Sequence, residues 1–79
     1  MTVEISKKAA KVIGRMDEKT KQRLKAAIHA LPEGDTRLLS GSVQAWRLRV
    51  GGWRILFSYP DEGTILVEKV APRGQAYKE

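Results

Sequence analysis

The stretch Trp46-Arg47-Leu48-Arg49-Val50-Gly51-Gly52-Trp53-Arg54-Ile55-Leu56-Phe57-Ser58-Tyr59 decides the fold. Trp46, Leu48 and Val50 alternate with Arg47 and Arg49, the two-residue period of a strand. Trp53, Ile55, Phe57 and Tyr59 alternate in the same way with Arg54, Leu56 and Ser58, and Gly51-Gly52 between the runs suits a two-residue hairpin turn. Such a turn fixes the register, so Val50 is predicted opposite Trp53, Leu48 opposite Ile55 and Trp46 opposite Phe57. Those six side chains form one apolar face, which places both tryptophans in the core. The other face then holds Arg49 directly opposite Arg54, and Arg47 opposite Leu56 with Arg54 on the diagonal. Facing like charges destabilise a sheet by a few tenths to about 1 kcal/mol. Folding alone gives no reason to keep that pair, so this face reads as one that meets an anion such as phosphate. A competing reading pairs Arg54 with Glu68 on the next strand, in one of the two registers that the Pro60–Gly63 turn allows.

Working outward, Pro60-Asp61-Glu62-Gly63 turns the chain and Thr64–Val70 supplies another strand rich in β-branched residues, ended by Pro72 and Gly74. Upstream, Thr2–Ile5 alternates weakly as a short strand. Ser6 is placed to cap a helix whose apolar positions Ala9, Val12, Ile13 and Met16 follow one helical face. Asp17 caps a second helix carrying Leu24, Ala27, Ile28 and Leu31, with Lys19, Lys21, Arg23 and Lys25 on its wetter side, and Pro32 ends it. The glycines and serines of Pro32–Ser42 read as a loop. The predicted architecture is α+β: an N-terminal helical hairpin packed on one face of a small, mainly antiparallel twisted sheet. Leu56, Leu66 and Val70 are left for a second layer, either a partner helix or another protomer.

With 79 residues the chain has room for a single domain, residues 1–79, with one thin core. A hydrophobic fraction of 42% beside 30% charged residues argues for a folded globular domain rather than disorder. Apolar runs such as Ile55-Leu56-Phe57 are far too short to span a membrane, and the N-terminus has no signal pattern, so a cytoplasmic protein is expected. No cysteine is present and His29 is the single histidine, which leaves no obvious metal site and no reason to expect a cofactor. His29, beside Ile28 on the second helix, is not read as a catalytic base.

Fifteen basic residues against nine acidic give a net charge of +6. The segment Thr36–Pro60 carries Arg37, Arg47, Arg49 and Arg54 and no acid at all. A purely arginine-bearing segment suits phosphate, because the planar guanidinium binds it in a fork. Near the C-terminus, Arg73 and Tyr77 stand four residues apart, followed by Lys78. A cation beside an aromatic ring suits RNA, with a base stacked on the ring and the guanidinium on a phosphate.

Leu38-Leu39-Ser40-Gly41, Trp46-Arg47-Leu48-Arg49-Val50, Gly52-Trp53-Arg54-Ile55 and Val70-Ala71-Pro72-Arg73-Gly74-Gln75-Ala76-Tyr77 together resemble the RelE family of toxins from type II toxin–antitoxin systems. The likeness covers nearly the whole chain, and the family lies in the wider RelE/ParE superfamily. It implies a ribosome-dependent endoribonuclease that cuts messenger RNA without a metal and so arrests translation. Its partners would be the ribosome, messenger RNA and a cognate antitoxin protein. By that resemblance Arg47 and Arg49 stand at the positions of two functional lysines, and Arg54 holds the scissile phosphate. Arg73 acts as general acid or charge stabiliser, and Tyr77 stacks on the nucleotide. Arg37 and Lys78 join Arg47 as candidate RNA contacts. Arginine in place of lysine is a departure from the family pattern, since a guanidinium does not give up its proton and makes a poor general base. Two alternatives stay open: a ParE-like inhibitor that binds DNA gyrase, and a catalytically silent RNA-binding relative.

Overall fold

The computed structural model describes residues 2–39 and 45–72. Five strands form one mixed sheet in the order β1-β5-β4-β3-β2, where β1 is Thr2–Ile5, β2 Thr36–Leu38, β3 Trp46–Val50, β4 Trp53–Asp61 and β5 Thr64–Pro72. Three pairings are antiparallel and β1 runs parallel to β5. Two helices, α1 (Lys7–Gly14) and α2 (Glu18–His29), connect β1 to the rest. The strand read at Thr2–Ile5 is present and opens the chain, so the helical pair follows it and is not N-terminal as the predicted architecture had it. No helix among the described residues is long and apolar enough to cross a membrane.

The hairpin has the register that its two-glycine turn dictates. Val50 faces Trp53, Leu48 faces Ile55 and Trp46 faces Phe57. Gly51 adopts φ +59°, in the left-handed region that favours glycine, and a side chain there would meet the Arg23 guanidinium at 3.4 Å. Leu48, Val50, Ile55 and Phe57 are buried under the helices together with Ile65, Val67 and Val70 of β5. The helices contribute Ala9, Ile13, Leu24 and Ile28, with Leu31 just beyond α2. Trp46 and Trp53 are half-buried and pack against this core. Trp46 lies nearly parallel to Phe57, and Tyr59 sets its edge against both rings, the arrangements that aromatic quadrupoles favour.

Three further expectations are corrected. The segment read as a loop contains β2, which pairs with β3 and places Arg37 opposite Arg47; three residues are too few to show a period. β4 runs on through Pro60 to Asp61 and β5 through to Pro72, so proline sits at the strand ends, where its missing N–H costs least. Val70 faces Ile55 within the core and is not available to a second layer, whereas Leu56 and Leu66 are half-buried.

Both helices begin at the expected caps. Ser6 accepts a hydrogen bond from the Ala9 amide at 3.0 Å and donates one to the Glu68 carbonyl at 2.9 Å, while its own amide donates to the Val67 carbonyl. One hydroxyl thus both starts α1 and ties it to β5, on which α1 packs. Ser6→Ala is expected to lower stability by about 1–2 kcal/mol, the range for a lost cap, measured by urea denaturation. Asp17 caps α2, accepting from the Thr20 hydroxyl at 2.7 Å and the Thr20 amide at 3.1 Å. The Thr20 hydroxyl, and then its amide, hold the Asp17 carboxyl below the ordinary aspartate range. A lowered folded-state value means that this contribution is present above the ordinary aspartate range and is lost as pH falls through the lowered value. In thermal melts, the advantage of the native protein over Asp17→Ala is expected to shrink across that acid window, and an advantage that stays constant there would contradict the charged cap.

Candidate nucleic-acid interface

The second face of the sheet is where the like-charged register is realised. Arg49 stands opposite Arg54, and Arg47 opposite Leu56. Adding the outer strands gives two rows across the sheet: Arg49, Arg54 and Ala71 in one, and Arg37, Arg47, Leu56 and Lys69 in the other. Four arginines thus come from three adjacent strands, about 4.8 Å apart in the hydrogen-bonding direction. Their burial differs sharply. Arg47 is 4% exposed and Arg54 5%, whereas Arg49 is half-exposed and Arg37 exposed.

Nothing in the alternating pattern announced that two of these guanidinium groups are buried. A charged group withdrawn from water must be paired or must serve another purpose. Arg54 does not face Glu68, so the competing pairing is not formed. A bulge in β5 between Val67 and Lys69 leaves Glu68 without an opposite residue, and its carboxylate accepts a hydrogen bond from the Ser58 hydroxyl at 2.6 Å. Among the described residues, the carboxylate that reaches Arg47 and Arg49 is Asp35, just before β2. Its oxygens lie 3.6 Å from Arg49 Nε and 3.9 Å from Arg47 Nη2. Sequence reasoning missed it because β2 was read as loop; once β2 pairs with β3, Asp35 falls beside Arg49, whose amide donates to the Asp35 carbonyl at 3.0 Å. Lys69 was missed as well: its place opposite Leu56 in the arginine row follows from the β5 bulge, which leaves no signal in the sequence.

Arg47 Nη1 is buried and makes no hydrogen bond. An unsatisfied buried donor costs roughly 1–3 kcal/mol. Arg47→Met keeps much of the side-chain volume and removes that donor, so it is expected to leave stability unchanged or raise it by about 1 kcal/mol in urea denaturation. A loss above about 2 kcal/mol would instead make Arg47 a structural anchor. Arg73, Tyr77 and Lys78 lie outside the described residues. His29 is exposed at the end of α2. Among the described residues no cluster of histidines and carboxylates is arranged to hold a metal ion. The described side chains of this face supply fixed cations, which can bind phosphate and stabilise negative charge that develops on it.

The fold is shared with known toxins. RelE in the RelB–RelE antitoxin–toxin complex from Methanococcus jannaschii superposes with a TM-score of 0.76 at 21% identity, covering 94% of both chains. The archaeal RelE–RelB complex from Pyrococcus horikoshii OT3 gives a TM-score of 0.70 at 22% identity, covering 94% of this chain and 96% of that one. No curated protein matches the sequence. Residues 3–77 match the family described as the ParE toxin of type II toxin-antitoxin system, parDE. That match spans nearly the whole sequence and the shared architecture agrees with it: the chain belongs to the ParE toxin family of type II toxin–antitoxin systems, within the RelE/ParE superfamily.

Proposed function

We propose that the protein is an RNA-cleaving toxin of the RelE kind, a ribosome-dependent endoribonuclease, and that the arginine face is its active surface. One observation carries this reading: Arg47 and Arg54 are buried side by side with Arg49 on one sheet face, against the preference of a fold that had only to be stable. Fixed guanidinium groups withdrawn from bulk water are the arrangement that stabilises a phosphorane best, because they need no reorganisation as charge develops. In-line attack by a ribose 2′-hydroxyl on the adjacent phosphorus forms the new P–O bond as the bond to the 5′-oxygen breaks. The products are a 2′,3′-cyclic phosphate and a 5′-hydroxyl end. Arg54 holds the non-bridging oxygens, Arg47 and Arg49 add positive charge, and Arg37 on the exposed strand guides the neighbouring backbone. Arg73 stabilises the charge on the departing oxygen, which takes its proton from solvent, and Tyr77 stacks on the base, in the places that the resemblance implies. The proton of the 2′-hydroxyl goes to a group of the ribosome, or to Tyr77 only in its phenolate form, since neither a guanidinium nor a neutral phenol accepts it.

A cognate antitoxin completes the system. The two solved structures named above are toxin–antitoxin complexes, and a net charge of +6 suits an acidic segment of such a partner. The second reading is a ParE-like inhibitor that binds DNA gyrase, favoured by the family match over residues 3–77. On that reading the arginines form a protein-binding surface and no bond is broken.

The two are separated by induced expression in a bacterial host, with primer extension on a reporter message read beside gyrase supercoiling. Because Arg54 is buried, Arg54→Gln is a better variant than a truncation to alanine, which would leave a cavity. Cuts within translated codons are expected for the native protein. They should fall by about 100-fold or more in Arg54→Gln, the scale for losing one donor to a developing oxyanion. An intact message with arrested gyrase would place the protein on the ParE side.

A further inference from the structure

Asp35 is held at the arginine face by its backbone, independently of its charge. The Arg49 amide donates to its carbonyl at 3.0 Å, and the Thr36 amide reaches back to the Gly34 carbonyl at 3.0 Å, a tight turn centred on Asp35 itself. Gly34 allows that turn with φ +115°. The carboxylate so placed touches both arginines, yet 3.6 and 3.9 Å are longer than a charge-assisted hydrogen bond of about 2.7–2.9 Å. The Asp35 side chain is 57% exposed. Arg47 Nη1 is buried with no hydrogen-bond partner. The pair of guanidinium groups therefore offers more donor capacity than the carboxylate in front of it uses.

We propose that Arg47 and Arg49 form a phosphate site for RNA in which Asp35 is a tethered, weakly held occupant that the incoming phosphate displaces. The identity of the phosphate as RNA rests on the functional reading above; the anion site itself does not. Asp35 neutralises adjacent like charges while the site is empty and lowers its affinity for isolated anions. A strand of RNA already engaged by neighbouring cations competes successfully, whereas a free phosphate does so poorly.

The test titrates inorganic phosphate into the purified protein, followed by NMR of the arginine Nε–H signals. Asp35→Asn preserves shape and backbone contacts and is expected to bind phosphate about fivefold more tightly or better, the scale for removing one or two exposed ion pairs. Glu62→Gln makes the same change of net charge in the exposed turn between β4 and β5, and should alter affinity by less than about twofold because screening separates it from the site. The gain should vanish when Asp35→Asn is combined with Arg49→Gln. In the native protein, whose folding is not in question, saturating phosphate should shift the Asp35 carboxyl carbon resonance as the carboxylate leaves Arg49. An Asp35→Asn affinity no higher than that of Glu62→Gln, or an unmoved Asp35 resonance at saturation, would overturn the site. A parallel titration with a short single-stranded RNA separates the two claims. Tighter binding at a salt slope that stays within about 0.7 of the native one supports RNA displacement, because the native site already takes that phosphate. Tighter phosphate but unchanged RNA binding would retain the anion site and reject its assignment to RNA; an acidic peptide that then bound Asp35→Asn more tightly would reassign it to a protein partner.

Discussion

The two-residue turn at Gly51-Gly52 is the constraint on which the molecule depends. By setting Val50 against Trp53 it sends one side chain in two to the core, and by the same step it forces Arg49 against Arg54 and brings Arg47 beside them. A slip of one residue would exchange the two faces, placing guanidinium groups under the helices and Ile55 and Phe57 in the opposite layer. The apolar face therefore enforces the electrostatically unfavourable one. The free energy of burying Leu48, Ile55, Phe57, Ile65 and Val67, about 1.5–3 kcal/mol for each large side chain, far exceeds the cost of facing like charges. Such a fold can hold cations together that would otherwise separate.

Much of this was legible in the sequence, for identifiable reasons. Strict alternation and a Gly-Gly loop leave little choice of register, and Ser6 and Asp17 mark helix starts because their oxygens satisfy amides that the first turn leaves open. What could not be read was non-local. Three residues of β2 show no period, so Asp35 gave no sign that it would lie beside Arg49. The β5 bulge that removes Glu68 from the arginines depends on pairing between β4 and β5, which a Pro60–Gly63 turn does not fix. Burial of Arg47 and Arg54 is likewise a property of the folded layers. Alternation said which face they occupy, and nothing local said how much water they would see.

The contrast between the two buried and the two exposed arginines gives the face a division of labour. Arg37 and Arg49 remain in contact with solvent, where on the proposed function they would attract and orient a polyanion in a salt-dependent way. Arg47 and Arg54 sit where the dielectric is lower and their charge is least screened, which on the proposed function would strengthen their action on a bound phosphate and on charge developing there. Asp35 stands at the boundary between the pairs. Family membership as a toxin and the fold shared with RelE are compatible with either a nuclease or a gyrase-binding role; the distribution of burial among the arginines favours the first.

The most direct test of that account is a reaction with purified components: the protein, ribosomes programmed with a defined message, and analysis of the new RNA ends. The account expects cleavage that requires the ribosome, needs no divalent cation beyond those the ribosome holds, and leaves a 5′-hydroxyl on one fragment and a 2′,3′-cyclic phosphate on the other. A message that stays intact on the ribosome while the same preparation blocks gyrase supercoiling would contradict it.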